Sequence, residues 1–105
     1  MSIYVGTQVI PAPGNLQNLL GQGDRVNKLI EKIGGKPVGN WQITLGEGQG
    51  TLALLVSYPD LAAYQAATAK AQTDPGWQKL IADVGPMIAA MNSAIYTPTP
   101  NSRMQ

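Results

Sequence analysis

Residues 51–58 read TLALLVSY. Leu52, Leu54 and Val56 fall on one parity, Ala53 and Leu55 on the other, so the run is apolar on both sides of a strand. A strand of this kind is buried on both faces and belongs in the middle of a sheet. Pro59 and Asp60 stop it and open a helix over about 60–73, with Leu61, Tyr64 and Thr68 on one face among many alanines. Asp74-Pro75-Gly76-Trp77 is a cap followed by proline at the first helical position, and Trp77, Leu80, Ile81 and Val84 form its apolar stripe. Gly85-Pro86 interrupts the stripe. The spacing of Met87, Ile88 and Met91 predicts one or two further helical turns, and 93–97, SAIYT, a short final strand. The polar, proline-rich residues 99–105 read as a disordered tail to a single domain over 1–98.

Upstream of the central run, GEGQG at 46–50 sits in a hairpin position. KPVGNWQITLG at 36–46 reads as its partner strand, with Val38, Trp41, Ile43 and Leu45 as the apolar side chains. Residues 15–34 read as a helical region broken near 21–24 by Gly21 and Gly23. Asn15 and Asp24 are its expected caps, and Gly34-Gly35 its stop. Residues 2–10, SIYVGTQVI, are rich in β-branched side chains and read as the first strand, closed by Pro11, Pro13 and Gly14.

The order is β-α-β twice, over 1–46 and 51–97. Right-handed crossovers then place both helical layers on one face of a four-stranded antiparallel sheet, an α+β, ferredoxin-like βαββαβ fold. The other sheet face is left bare. Burying apolar surface stabilises by ~25 cal/mol per Å², so the two-sided apolar strand predicts a homodimer with sheet closed on sheet. The alternative is a monomer whose sheet is covered by its own C-terminal segment.

Composition narrows the chemistry. The chain has 105 residues, 44% hydrophobic and 12% charged, with a net charge of +1. That suits a compact globule and supplies no basic footprint for nucleic acid or anionic lipid. Cysteine and histidine are both absent. This removes disulfides, thiolate zinc sites, Cys nucleophiles and every Ser-His-Asp arrangement. No run approaches the ~20 apolar residues of a membrane span, and the N-terminus has no basic region of a secretory signal. The expected location is cytoplasmic, with no cofactor, no metal, no nucleic acid and no membrane as partner.

A family resemblance rests on ordered motifs. An Ile3-Tyr4 strand ends in Pro13-Gly14. Val38-Gly39-Asn40-Trp41 opens the second strand. Tyr58-Pro59-Asp60-Leu61-Ala62-Ala63 follows the third, then Asp74-Pro75-Gly76-Trp77-Gln78, then Ser93-Ala94-Ile95-Tyr96-Thr97-Pro98. Over residues 3–98 the chain resembles the NIPSNAP family of the dimeric α/β-barrel superfamily. The resemblance implies two sheets closed into a barrel and a cavity in each subunit, between the sheet and the helices or inside the barrel, with Ile3, Val5, Thr7 and Val9 facing the barrel, although periodicity alone also allows the reverse. It implies no single activity, since superfamily members include cofactor-free monooxygenases, cyclases, isomerases, haem-degrading proteins and ligand sensors. First strands of NIPSNAP-like proteins often carry an acid, an Arg and a Tyr where this chain has Val5, Thr7 and Val9. Leu54 stands where a His is frequent. The cavity is therefore expected to be more apolar than in relatives.

The candidate ligand-binding residues are Thr7, Trp41, Leu54, Tyr58 and Tyr96. Trp41 offers a flat wall for a planar substrate, or else packs in a core or interface. Tyr58 and Tyr96, like Tyr4, sit in or at the end of strands, where a phenol can orient a ligand carbonyl or simply pack its ring. Thr7, Gln8, Asn40 and Gln42 are polar strand residues, with Asn40 and Gln42 facing either solvent or a cavity rim. Met87 and Met91 suit an adaptable apolar site or gap-filling. Glu47 lies in a glycine-flanked turn with no following Lys-Ser/Thr pair and no helix, so a phosphate loop is rejected. No catalytic residue is assigned.

Two functions follow. One is a barrel with an apolar cavity that binds a small apolar or aromatic molecule, as a cofactor-free monooxygenase or a cyclase/isomerase acting on an aromatic or polyketide-like substrate. The other is a non-catalytic ligand-binding or protein-assembly module. An effector domain of a transcription regulator is disfavoured, because no helix-turn-helix accompanies it.

Overall fold

The computed structural model describes residues 2–47 and 50–104. Its elements run β1 (Ile3–Pro11), α1 (Leu16–Leu20), α2 (Gly23–Lys32), β2 (Lys36–Gln42), β3 (Leu52–Tyr58), α3 (Leu61–Thr73), α4 (Pro75–Val84), a 3-10 turn (Gly85–Met87) and β4 (Ile88–Tyr96). The strands form one antiparallel sheet in the order β2-β3-β1-β4. This is the ferredoxin-like α+β arrangement.

Local chemistry accounts for most boundaries. The Asp60 carboxylate accepts the Ala63 N–H at 2.8 Å, and Asp74 accepts the Trp77 N–H at 3.0 Å, so both act as helix caps. At the end of α2, Gly34 takes a φ of 105° and the Gly35 N–H returns to the Ile30 carbonyl at 3.0 Å. The helical region does break between α1 and α2, but neither expected cap there acts as one. The Asn15 side chain donates to the Pro13 carbonyl, and Asp24 lies inside the first turn of α2.

The core lies between the sheet and α2, α3 and α4. Ile3 and Val5 of β1, Val56 and Tyr58 of β3, Ile30, Ile33 and Ala67 are mutually buried. Register makes the face assignment unambiguous: Ile3 pairs with Tyr58, Val5 with Val56 and Thr7 with Leu54. The parity of Ile3, Val5, Thr7 and Val9 thus faces the helices. This overturns their expected place inside a barrel, because these side chains are turned to the helices and only the opposite parity lies on the open face of the sheet.

Three other expectations change. Residues 88–91 are strand, not helix. Pro86 stops helical hydrogen bonding, and the backbone pairs instead with β1, Met91 opposite Val9 and Ala90 opposite Ile10. The second strand ends at Gln42 rather than 46, and Leu45 projects into solvent. Ile43 and Thr51 still close the ladder, with Ile43 N–H to Thr51 O at 2.9 Å. Of the 46–50 turn, Gly48 and Gln49 lie outside the described residues. Finally, the helices do not reach across the whole sheet. Met91 and Ile95 of β4 point to the helical side, yet remain 62% and 49% exposed.

Candidate ligand-binding face

The five sequence-predicted residues divide across the sheet. Thr7, Leu54 and Tyr58 lie on the helical side, Trp41 and Tyr96 on the bare side. Thr7 Oγ1 is 2.8 Å from Ser93 Oγ, a hydroxyl pair tying β1 to β4. Leu54 is half-buried opposite Thr7 and packs against the core. Tyr58 is buried, and its ring meets Tyr64 edge-on at 5.3 Å. Burial, with Tyr64 beside it, pushes the Tyr58 phenol above its ordinary value. These three side chains serve packing and register and line neither of the two grooves described below.

The bare face is organised in cross-strand rows. One runs Trp41–Ala53–Gln8–Asn92, the next Gly39–Leu55–Gly6–Ala94, the third Lys36–Ser57–Tyr4–Tyr96. The middle row holds Leu55 among residues with little or no side chain, and aromatic rings from the outer rows lean over it. A Cβ on Gly39 would lie 2.7 Å from the Trp41 ring, and one on Gly6 would lie 2.5 Å from the Tyr96 ring. Both rings are 55% exposed. Trp41 and Tyr96 therefore approach Leu55 from diagonal corners, each filling the space its glycine leaves. Glycine within a strand commonly marks such a close approach.

Residues 97–104 shape one end of this face. They fold over with the Ser102 N–H on the Thr99 carbonyl at 2.9 Å. Pro98 and Met104 then join Tyr4, Leu55 and Tyr96 around a groove of about 260 Å³. Sequence reasoning named Trp41 and Tyr96 as candidates without assigning them a face, and did not include Leu55, Met104, Gly6 or Gly39, which lie beside them. The Gly39-x-Trp41 spacing was the available signal, because i and i+2 share a face.

The face is nearly uncharged, Lys36 being the one charged residue within the four strands. Ion pairs lie among the helices. Arg25 Nη1 and Lys79 Nζ reach Asp83 at 3.0 and 3.1 Å, and Lys32 reaches Asp74 at 2.6 Å. Lys79, then Arg25, hold the Asp83 carboxyl below its ordinary value. Among the described residues no group of three or more His, Cys, Asp or Glu side chains gathers as metal ligands. No helix of these residues is long and apolar enough to cross a membrane.

The NIPSNAP family model matches residues 12–103. The chain belongs to the NIPSNAP family. Solved structures agree on the fold. A NIPSNAP family protein from Agrobacterium tumefaciens superimposes with a TM-score of 0.87 at 20% identity, over 100% of both chains. A NIPSNAP-like domain protein from Burkholderia xenovorans gives 0.82 at 19% identity, over 96% of this NIPSNAP chain and 88% of its own. A protein from Bacteriodes thetaiotaomicron, provisionally assigned to the antibiotic biosynthesis monooxygenases, gives 0.66 at 16% identity over 99% and 96%. No curated protein matches.

Proposed function

We propose that this NIPSNAP chain is a homodimeric small-molecule-binding protein whose ligand, apolar and planar, lies between the bare faces of two sheets. The observation that carries this reading is the pair of exposed rings, Trp41 and Tyr96, leaning over glycines beside Leu55 on a face nearly free of charge. Aromatic rings contact a planar apolar molecule through offset stacking or edge-to-face approach, at roughly 0.5–1.5 kcal/mol per pair beyond area burial. A second copy would remove the same surface from water and turn an open groove into an enclosed one.

Chemistry on such a face must draw on the substrate's own reactivity. Two classes meet that condition. In one, an electron-rich aromatic supplies the electrons for its own oxygenation, as the resemblance to a provisionally assigned monooxygenase suggests. In the other, a shaped surface holds a substrate in the conformer that cyclises or isomerises. The Tyr4 and Tyr96 hydroxyls, beside Thr97 and Ser102 at the groove, would orient a carbonyl. The non-catalytic reading, a ligand-binding or assembly module, draws on the same bare face, where Lys36 is the one charged residue of the four strands.

Native mass spectrometry of protein purified from its own host tests both parts. The expected result is a dimer retaining a small organic molecule, lost in Tyr96→Ala. A dimer carrying nothing, and unaffected by planar aromatic probes such as 1-naphthol, supports the assembly reading. A clean monomer overturns the proposal.

A further inference from the structure

A second concavity, on the helical side, is unrelated to the aromatic face. It is a groove of about 500 Å³ at the open edge of the sheet, between β2 and the junction of α1 with α2. Two interruptions of regular structure meet there. On one wall the helical region breaks at Gly21–Gly23. On the other, β2 carries a bulge: Pro37 pairs with Val56 and Gly39 with Leu55, which leaves Val38 without a partner. Bulges in edge strands re-aim side chains and recur next to sites. Here the bulge brings Val38 to the groove opposite Leu20, both half-exposed.

The polar groups of the groove are specific in kind. Asn40 of β2 donates through Nδ2 to Asn27 Oδ1 of α2 at 3.4 Å, a long and weak bond. Among the described residues neither carboxamide makes another side-chain hydrogen bond. The Asn27 NH₂ and the Asn40 carbonyl therefore remain as a donor and an acceptor on neighbouring groups. Exchanging oxygen and nitrogen in both amides gives the same donor-acceptor pair, so the pattern does not depend on how they were assigned. Asp24, one helical turn before Asn27, adds a carboxylate that only accepts. No Lys or Arg lines the groove, so an anion has no counter-charge there.

We propose that this groove binds a small planar heterocycle through a cis-amide edge, of the kind found in lactams, imides, pyrimidines and purines. A cis-amide presents a carbonyl acceptor next to an N–H donor, the complement of the Asn27–Asn40 pair. In nucleic acids a single carboxamide reads adenine by such a donor-acceptor pair; here the two members come from neighbouring side chains. Asp24 accepts a further N–H where the ring carries one, and Leu20 and Val38 contact the ring itself.

Saturation-transfer NMR on the full chain tests this with uracil, guanosine and 2-pyrrolidone, using 1,3-dimethyluracil as the probe without N–H. The expected result is transfer from at least one amide-bearing probe, stronger than from dimethyluracil by at least about tenfold in affinity. The signal is lost in Asn40→Leu, an exposed position whose change leaves the core intact. A Lys70→Ala control, at an exposed position of α3 away from the groove, leaves the signal unchanged. Equal transfer from dimethyluracil, transfer that survives Asn40→Leu, or no transfer from any amide-bearing probe would each overturn the proposal.

Discussion

The Tyr96 ring occupies the space that a side chain on Gly6 would need, with an ideal Cβ falling 2.5 Å from Tyr96 Cε2. Tyr96 is an exposed residue near the end of β4, so its ring can swing away. Gly6→Ala is therefore expected to cost little stability, on the order of 1 kcal/mol or less, while displacing the ring. Thermal melts should move only slightly, whereas binding of a planar probe such as 1-naphthol should weaken as much as in Tyr96→Ala. A Gly6→Ala protein that binds as well as the parent would separate the ring from the site.

Gly35 makes the opposite case. A Cβ there would lie 2.7 Å from Ile30 Cγ2, 2.9 Å from Val56 Cγ1 and 3.0 Å from the Tyr58 hydroxyl, all within the core. None of these atoms can move into solvent. Gly35→Ala is expected to destabilise by roughly 1–3 kcal/mol through overpacking, read as a lower urea midpoint with unchanged slope.

Tyr58 links stability to alkaline pH. Its phenol titrates above its ordinary value in the folded chain, chiefly through burial. The neutral form is thus favoured by folding. That contribution is complete below the unfolded value of about 10, and is lost as pH rises from there through the folded value. Stability should fall in that window, and Tyr58→Phe should fall less steeply. Denaturant curves at stepped pH decide it; parallel slopes would remove Tyr58 as the cause.

Asp74 works at the acid end. The Lys32 ammonium, then the Trp77 N–H, hold its carboxyl below the ordinary value. Its contribution is present above the unfolded value and is lost as pH falls through the folded one. Asp74→Asn retains an oxygen able to cap α4 but loses the attraction to Lys32. Its melting temperature should drop at neutral pH and depend less on pH in the acid range than the parent's. An unchanged acid dependence would place the linkage elsewhere.

Leu55→Arg would put a charge at the centre of the bare face, where the flanking residues Gly39, Gly6 and Ala94 offer no partner. It is half-buried and outside the core cluster, so the fold should survive. Sedimentation is expected to show monomer where the parent shows dimer. A dimeric Leu55→Arg would move the interface to another surface.

What could be read from the sequence was chiefly local. Asp60 and Asp74 cap as expected, because a short carboxylate before a helical run has one nearby use. The apolar parities of TLALLVSY placed β3 inside the sheet. Residues 88–91 were misread because Met87, Ile88 and Met91 fit helical spacing, and only pairing with β1, about 80 residues away, decides otherwise. The division of the candidate residues had the same origin. Thr7 and Tyr96 belong to adjacent strands, yet which face each meets depends on where the helices lie. The groove at Val38 depends on a bulge, and a single unpaired residue leaves no periodic trace.

The central position of β1 sets the timetable of folding. Its two hydrogen-bonding edges wait for β3, which begins at Leu52, and for β4, which begins at Ile88. The first of the four strands in chain order is thus among the last to be satisfied. Residues 8–92 must all be made before Thr7 meets Ser93. Long-range pairing of this kind slows folding. Until β4 arrives, β1 keeps an open, uncharged edge, the condition under which incomplete chains join one another instead.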